Sequence, residues 1–374
     1  MSGLYIHIPF CRQACHYCNF HFSTSLKSKD RMMNAIESEI QSRKDYLNTS
    51  NLTSIYLGGG TPSVLNESDL SQLFETISRF FTWPETAEIT LEANPDDLTP
   101  EYLRMLRASP VNRLSIGIQA RDEHQLQWMN RSHTSEQGKR AIESALKQGF
   151  ERMTIDWMYG LPGLSDAEWV ASLDWMQNLG IPHFSAYALT VEEHTALAHQ
   201  IKKGRTEVPE DHAVIRQFDL LLDWIKDSPY EQYEISNFAR PGQEAVHNAQ
   251  YWTGVPYLGV GPSAHSYDGK NRHWNPPHNI VYMKAIESGE IPLETEPFRM
   301  QDRVNERIMT ELRLRSGLKW KSFKEDYPDH VKLLKEKVRS HPRKSWWTTD
   351  AESVRLTREG MHYADQAAAD LFLD

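Results

Sequence analysis

The sequence predicts an α/β protein: an incomplete (β/α)6 barrel followed by a C-terminal, mainly helical, winged-helix-like domain. Three observations carry this. Six short β-rich runs alternate with helix-period segments over the first two hundred residues. The runs start about 30 to 50 residues apart, as parallel strands joined by crossover helices do. After residue 205 the alternation stops and the composition changes.

The strand-like runs are Leu4–Phe10, Ser54–Leu57, Glu88–Glu92, Arg113–Gln119, Arg152–Trp157 and His183–Leu189. Between the first of them lie Met33, Ile36, Ile40 and Leu47, then Leu70, Leu73, Phe74 and Ile77, apolar at helical spacing. Asn66-Glu67-Ser68-Asp69 and Ser165-Asp166-Ala167-Glu168 read as capped first turns, a side-chain acceptor with a carboxylate three residues on. Trp128, Trp157, Trp169, Trp175 and Trp224 sit on these patterns and read as core. Tyr230–Phe238 reads as one more strand, before a stretch rich in Gly, Pro, His and aromatic residues up to about Asn279. From about Pro297 a helix with Val304, Ile308, Met309 and Leu312 leads to strands at Trp346-Trp347 and Ser353–Leu356 and a helix over Arg358–Phe372. The expected division is a partial barrel over 1–205, its extension over 206–296 and the C-terminal domain over 297–374.

The composition is that of a globular protein, with 39% hydrophobic and 25% charged residues in 374. Mean hydropathy is −0.61, and no apolar run approaches the ~18 residues of a membrane-spanning helix. The N-terminal residues alternate without a basic start, so they read as a strand and not as a signal peptide, which points to the cytoplasm. A net charge of −10 disfavours a nucleic-acid binder. The segment Arg299–Lys344 departs from this, with 14 basic against 7 acidic residues.

In parallel α/β folds ligands gather beyond the C-terminal ends of the strands. Here those ends read Pro9-Phe10-Cys11, Gly58-Gly59-Gly60-Thr61-Pro62, Glu92-Ala93-Asn94-Pro95, Gln119-Ala120-Arg121, Asp156-Trp157-Met158-Tyr159-Gly160 and Tyr187-Ala188-Leu189-Thr190. Cysteines, glycines, two carboxylates and an amide therefore fall on one rim.

All three cysteines of the chain, Cys11, Cys15 and Cys18, lie within eight positions. An odd count without a secretory signal argues against a disulfide framework. A tetrahedral zinc site would need a fourth ligand, which His7, His16 or His21 could supply. An iron–sulfur cluster normally takes four thiolates. Three would leave one iron open to the amino and carboxylate groups of a small molecule.

This C-x3-C-x2-C spacing resembles that of the radical S-adenosylmethionine (SAM) superfamily, and Gly58-Gly59-Gly60-Thr61-Pro62 resembles its glycine-rich segment. Within the superfamily, Tyr5-Ile6-His7-Ile8-Pro9-Phe10-Cys11, Arg113–Gln119, Asn130-Arg131 and Asp156–Gly163 resemble motifs of the oxygen-independent coproporphyrinogen III oxidase-like family. The resemblance implies a radical SAM barrel with a [4Fe-4S] cluster on Cys11, Cys15 and Cys18, whose open iron chelates SAM. It implies that Tyr5, Gly59 and Glu92 contact that SAM. Gly60, Thr61, Gln119, Arg131 and Asp156 would line the neighbouring region, and Tyr17 and Ala188 would belong to the same cofactor-binding set.

Two departures separate the sequence from the oxidase itself. The oxidase carries a fourth cysteine two residues after the third, where this chain has Phe20. Its long N-terminal extension has no room before Cys11. Both point toward the heme-chaperone branch, which binds heme and passes it to respiratory or membrane proteins, with the oxidase as the alternative. That branch carries an H-N-x-x-Y-W motif, matched by His247-Asn248-Ala249-Gln250-Tyr251-Trp252. His247 is accordingly the first candidate axial ligand, with His265 and His273 behind it.

Overall fold

The computed structural model describes residues 2–208 and 210–373. Its main element is a twelve-stranded sheet of order β12-β11-β10-β9-β1-β2-β3-β4-β5-β6-β8-β7. These strands are β1 (Gly3–Ile8), β2 (Ser54–Gly59), β3 (Glu88–Ala93), β4 (Arg113–Gln119), β5 (Arg152–Tyr159), β6 (His183–Ala188), β7 (Glu231–Glu234), β8 (Asn237–Ala239), β9 (Tyr257–Val260), β10 (His265–Tyr267), β11 (Arg272–Trp274) and β12 (Glu294–Glu296). The first six are parallel neighbours in chain order, as the spacing predicts. One face of each of the first five carries fully buried aliphatics, among them Leu4, Ile6, Leu57, Leu91, Leu114, Ile116 and Ile155, and β6 adds Phe184. The alternate positions carry Tyr5, Tyr56, Glu92, Ser115 and Asp156, because successive strand residues point to opposite faces.

Both expected helix starts are capped. Asn66 accepts from the Asp69 amide and Ser165 from that of Glu168, each with the reciprocal bond. Trp157 and Trp169 are fully buried, while Trp128, Trp175 and Trp224 are half-buried.

Three sequence readings need correction. The run Tyr230–Phe238 is not one strand; it turns back as the β7–β8 hairpin, antiparallel on β6. The Gly/Pro-rich stretch holds β9, parallel on the open edge of β1, with β10–β12 antiparallel beyond it. A four-residue strand with every residue buried offers no alternation to read. The last helix breaks into Arg358–Met361 and Ala364–Asp370, where Tyr363 stacks on Trp346 at 4.9 Å.

The N-terminal mouth of the barrel is stopped by the helix Val246–Trp252. Its first two amides, of Val246 and His247, donate to the buried Glu88 carboxylate at 2.9 Å each. Beyond the barrel, the helix Met300–Arg313 packs with β13 (Leu318–Lys319), β14 (Trp347–Thr349) and β15 (Ser353–Leu356) around a core of its own, including Ile308, Phe323 and Val354. Arg358 ties this unit back to the barrel through Asp219 and Asp223.

The β9–β11 extension hangs on one buried network. Glu39 accepts from Arg43 (2.9 Å), the Gly261 amide (2.8 Å), Asn275 (2.8 Å) and Tyr282 (2.7 Å). Arg43 in turn donates to the Gly259 carbonyl and to Ser266. Removing one partner of a buried ion pair strands the other, at a cost of about 3–5 kcal/mol. Glu39→Ala should therefore lower unfolding stability by that order in a urea titration. A loss under about 1 kcal/mol would show that the extension is anchored elsewhere.

Candidate functional site

The C-terminal ends of the strands surround a cavity of about 400 Å3. The loop after β1 closes one side of it. That loop is pinned at many points: the Cys11 amide to the Ser23 carbonyl (3.0 Å), the Thr61 amide to Phe10 (2.7 Å), the His16 amide to Met129 (3.0 Å) and the Asn130 amide group to Ala14 (2.7 Å). The Gly60 amide donates to the Ile8 carbonyl at 2.9 Å. A Cβ on Gly60 would stand 2.7 Å from the carbonyl oxygens of both Ile8 and Phe10, so the two chain segments approach only because the side chain is missing. Gly59, at φ +103°, would put a Cβ 2.6 Å from the His7 ring.

Cys11, Cys15 and Cys18 all line this cavity as free thiols, and do not by themselves form a closed cage. Thr61 donates to the Cys11 sulfur and Arg131 to that of Cys15, both at 3.2 Å. Burial pushes the Cys11 thiol up to about 11 and raises that of Cys18 as well. Ligation would thus release protons and be driven by the metal. Arg131 is held by Asn94 and the Gly117 carbonyl at 2.8 Å each, and its buried Nε has no partner. Three free thiols, two donors already aimed at sulfur and an unpaired cationic N–H make a donor set that fits an anionic iron–sulfur cluster. When bound, such a cluster supplies an electron and one iron open to a small-molecule chelate.

The opposite wall carries the carboxylates. Tyr56 donates to Glu92 at 2.7 Å and the Gly59 amide does so at 3.1 Å. Burial raises Glu92 to about 7 and Asp156 to about 6, the latter accepting from Ser115 at 3.3 Å. Gln119 sits at φ +64° after an irregularity in the β4–β5 register, and lies against Gly117. Hydroxyl- and amine-bearing ligands suit such half-neutral acids, which accept hydrogen bonds without demanding a full counter-charge.

Tyr17, Gly59, Gly60, Thr61, Glu92, Gln119, Arg131, Asp156 and Ala188 all line the same cavity. Tyr5 does not. It lies below the cavity floor, stacked on Tyr56 (6.1 Å) and His247 (6.3 Å), with its hydroxyl 3.3 Å from His7. In this position Tyr5 supports Tyr56, which holds Glu92. His247, the first candidate for heme iron, stacks in the same place on Tyr5 and Tyr56. It is 2% exposed, with Nδ1 on Ser54 (2.8 Å) and Nε2 on Tyr251 (3.0 Å), so neither nitrogen is free for iron. Tyr56, Asn94, Ser115, Met158 and Tyr187 also belong to the site or its support and were missed as site residues. Their strand positions, on the face shared with Glu92 or at the same rim, were the available signal.

The fold and rim define a class of protein in which a cysteine loop crowns a partial parallel barrel. The model of the radical SAM superfamily matches residues 5–176. Heme chaperone HemW of Bacillus subtilis (strain 168) is 33% identical over 371 residues, 96% of this chain and 96% of that one. Heme chaperone HemW of Mycobacterium tuberculosis (strain CDC 1551 / Oshkosh) is 34% identical over 321 residues, 84% and 82% of the two chains. The structure of coproporphyrinogen III oxidase (HemN) from Escherichia coli, described as a radical SAM enzyme, superposes with a TM-score of 0.86 at 22% identity, covering 99% of this chain and 90% of that one. The chain belongs to the radical SAM superfamily and, within it, to the HemW family. The family brings with it a [4Fe-4S] cluster and SAM; the oxidase shares the fold.

Two outcomes follow from this geometry. Gly60→Ala should force the cysteine loop off β2, at about 1–3 kcal/mol, and lower iron bound per chain after anaerobic reconstitution; unchanged iron content would refute the close-approach argument. Glu92 has a higher pKa folded than its ordinary 4.5. The fold therefore favours the protonated acid, and stability falls as pH rises between about 4.5 and 7. In the cluster-free chain, the thermal midpoint of Glu92→Gln relative to wild type should rise across that window and then level off. A constant difference from pH 5 to 8 would show Glu92 titrating normally.

Proposed function

We propose that this chain is a cytoplasmic heme chaperone: a protein that carries a [4Fe-4S] cluster on Cys11, Cys15 and Cys18, holds SAM in the rim cavity, binds heme and hands it to a respiratory or membrane acceptor. The observation that carries the reading is the match to heme chaperones over nearly the whole length of both chains. Phe20 supports it: at the position where the oxidase resemblance calls for a fourth cysteine, the chain presents a phenylalanine 68% exposed at the cavity edge. Among the described residues no helix is long and apolar enough to cross a membrane, in keeping with a carrier that visits its acceptor. Residues 1–205 would then serve as the cofactor barrel, 206–296 as its extension, and 297–374 as a separate unit available for the acceptor.

The test is a side-by-side assay of the anaerobically reconstituted protein. It should bind hemin at about one per chain and convert no coproporphyrinogen III to protoporphyrinogen IX. Turnover without hemin uptake would establish the oxidase alternative instead. Replacing all three cysteines with alanine should abolish bound iron and sulfide; iron retained at the wild-type level would refute the cluster assignment.

A further inference from the structure

A histidine that ligates heme iron must offer a neutral ring with a free nitrogen, an open approach to the ring edge and a fixed orientation. Of the motif histidines, His247 fails on the first two counts. His273 has both nitrogens engaged, by Thr295 at 3.0 Å and Asp268 at 3.4 Å. His7 is buried between Tyr5 and the His21 carbonyl.

His265 differs from all of these. It is exposed, and among the described residues its ring makes no hydrogen bond. One ring face stacks on Trp274, directly opposite it across the β10–β11 ladder, with centroids 5.9 Å apart and planes 28° from parallel. It is the one exposed histidine among the described residues whose ring packs on an aromatic side chain. Iron ligation uses the in-plane lone pair, so a partner on the ring face orients the imidazole and leaves its edge clear. The backbone beneath is rigid, because the next residue, Ser266, is buried and held by Arg43.

We propose that His265, set on Trp274 in the β10–β11 hairpin of the sheet extension, is the residue through which this chain takes heme iron. The proposal rests on the chaperone reading above and moves the ligand from His247 to a residue the solvent reaches. Partial desolvation against its neighbours and then the nearby Arg272 lower the His265 pKa, which favours the neutral ring with its lone pair free. The segment that follows this hairpin reaches the cysteine loop. The hairpin carrying His265 and Trp274 continues through the Asn275 amide bond to Ala264 (3.0 Å), and Asn279 just beyond it meets His21 of the loop at 2.7 Å. Phe20 and Ile280, each one residue from that contact, are 68% and 52% exposed, apolar side chains left open to a ligand. Binding forms one dative bond from a neutral imidazole nitrogen to iron and displaces at most a water, with no electron transferred.

The experiment is a hemin titration of the reconstituted full chain, read by Soret position, affinity and low-temperature electron paramagnetic resonance. His265→Ala should weaken hemin binding at least tenfold, shift the Soret band and regain the wild-type spectrum when imidazole is added. Trp274→Ala should weaken binding less and leave the band in place. His247→Ala should keep the wild-type Soret position, whatever it does to the melting temperature. Wild-type affinity and spectrum in His265→Ala would overturn the proposal while leaving the chaperone reading intact. If the wild-type chain itself takes up no hemin, the chaperone reading falls and this proposal falls with it.

Discussion

The site depends on one close contact between backbones. The Gly60 amide and the carbonyls of Ile8 and Phe10 meet at a distance that excludes any side chain, and this seats the cysteine loop on the end of β2. Everything else at the rim is placed relative to that seat. Thr61, the next residue, reaches the Cys11 sulfur. Gly59, on the other side, turns at a positive φ and offers its amide to Glu92. A short glycine run thus positions a thiol and a carboxylate on opposite walls of the same cavity.

The electrostatics follow from the depth of that cavity. Burial holds thiols and carboxylates toward their neutral forms, while Arg131 stays charged with donors to spare. A site holding neutral acids around one cation is prepared for an anionic guest that supplies the missing charge. Desolvation and guest charge oppose each other, so the empty and loaded sites differ in protonation as well as occupancy. That is the expected behaviour of ligands that must lose protons to bind metal.

The histidine motif shows how a residue can be legible and its role not. His247 stands in a recognisable string, yet the helix that carries it stops the barrel mouth, and its ring is locked between Ser54 and Tyr251. Tyr5, Tyr56 and His247 stack into an aromatic column under the cavity, which gives these aromatic side chains a packing role of their own. His265 has no such string around it that marks exposure. Its freedom comes from lying on a sheet extension that the sequence pattern does not announce.

By itself the sequence determined the parallel six-strand order, the capped helices, the cysteine loop and all but one of the cavity-lining residues expected of it, Tyr5 being the exception. These are local signals: periodicity, capping residues, and polar residues at strand ends that a parallel sheet must bring to one rim. Tertiary structure decided what lies inside the barrel and what lies on it. Strand β9 pairs with β1 across some 250 residues of chain, Glu88 reaches an amide 159 positions away, and the Glu39 network closes over a comparable span. No window of sequence contains both partners of such contacts. Burial, which decides whether a histidine is a prop or a ligand, is set by those partners and not by the residue's neighbours in the chain.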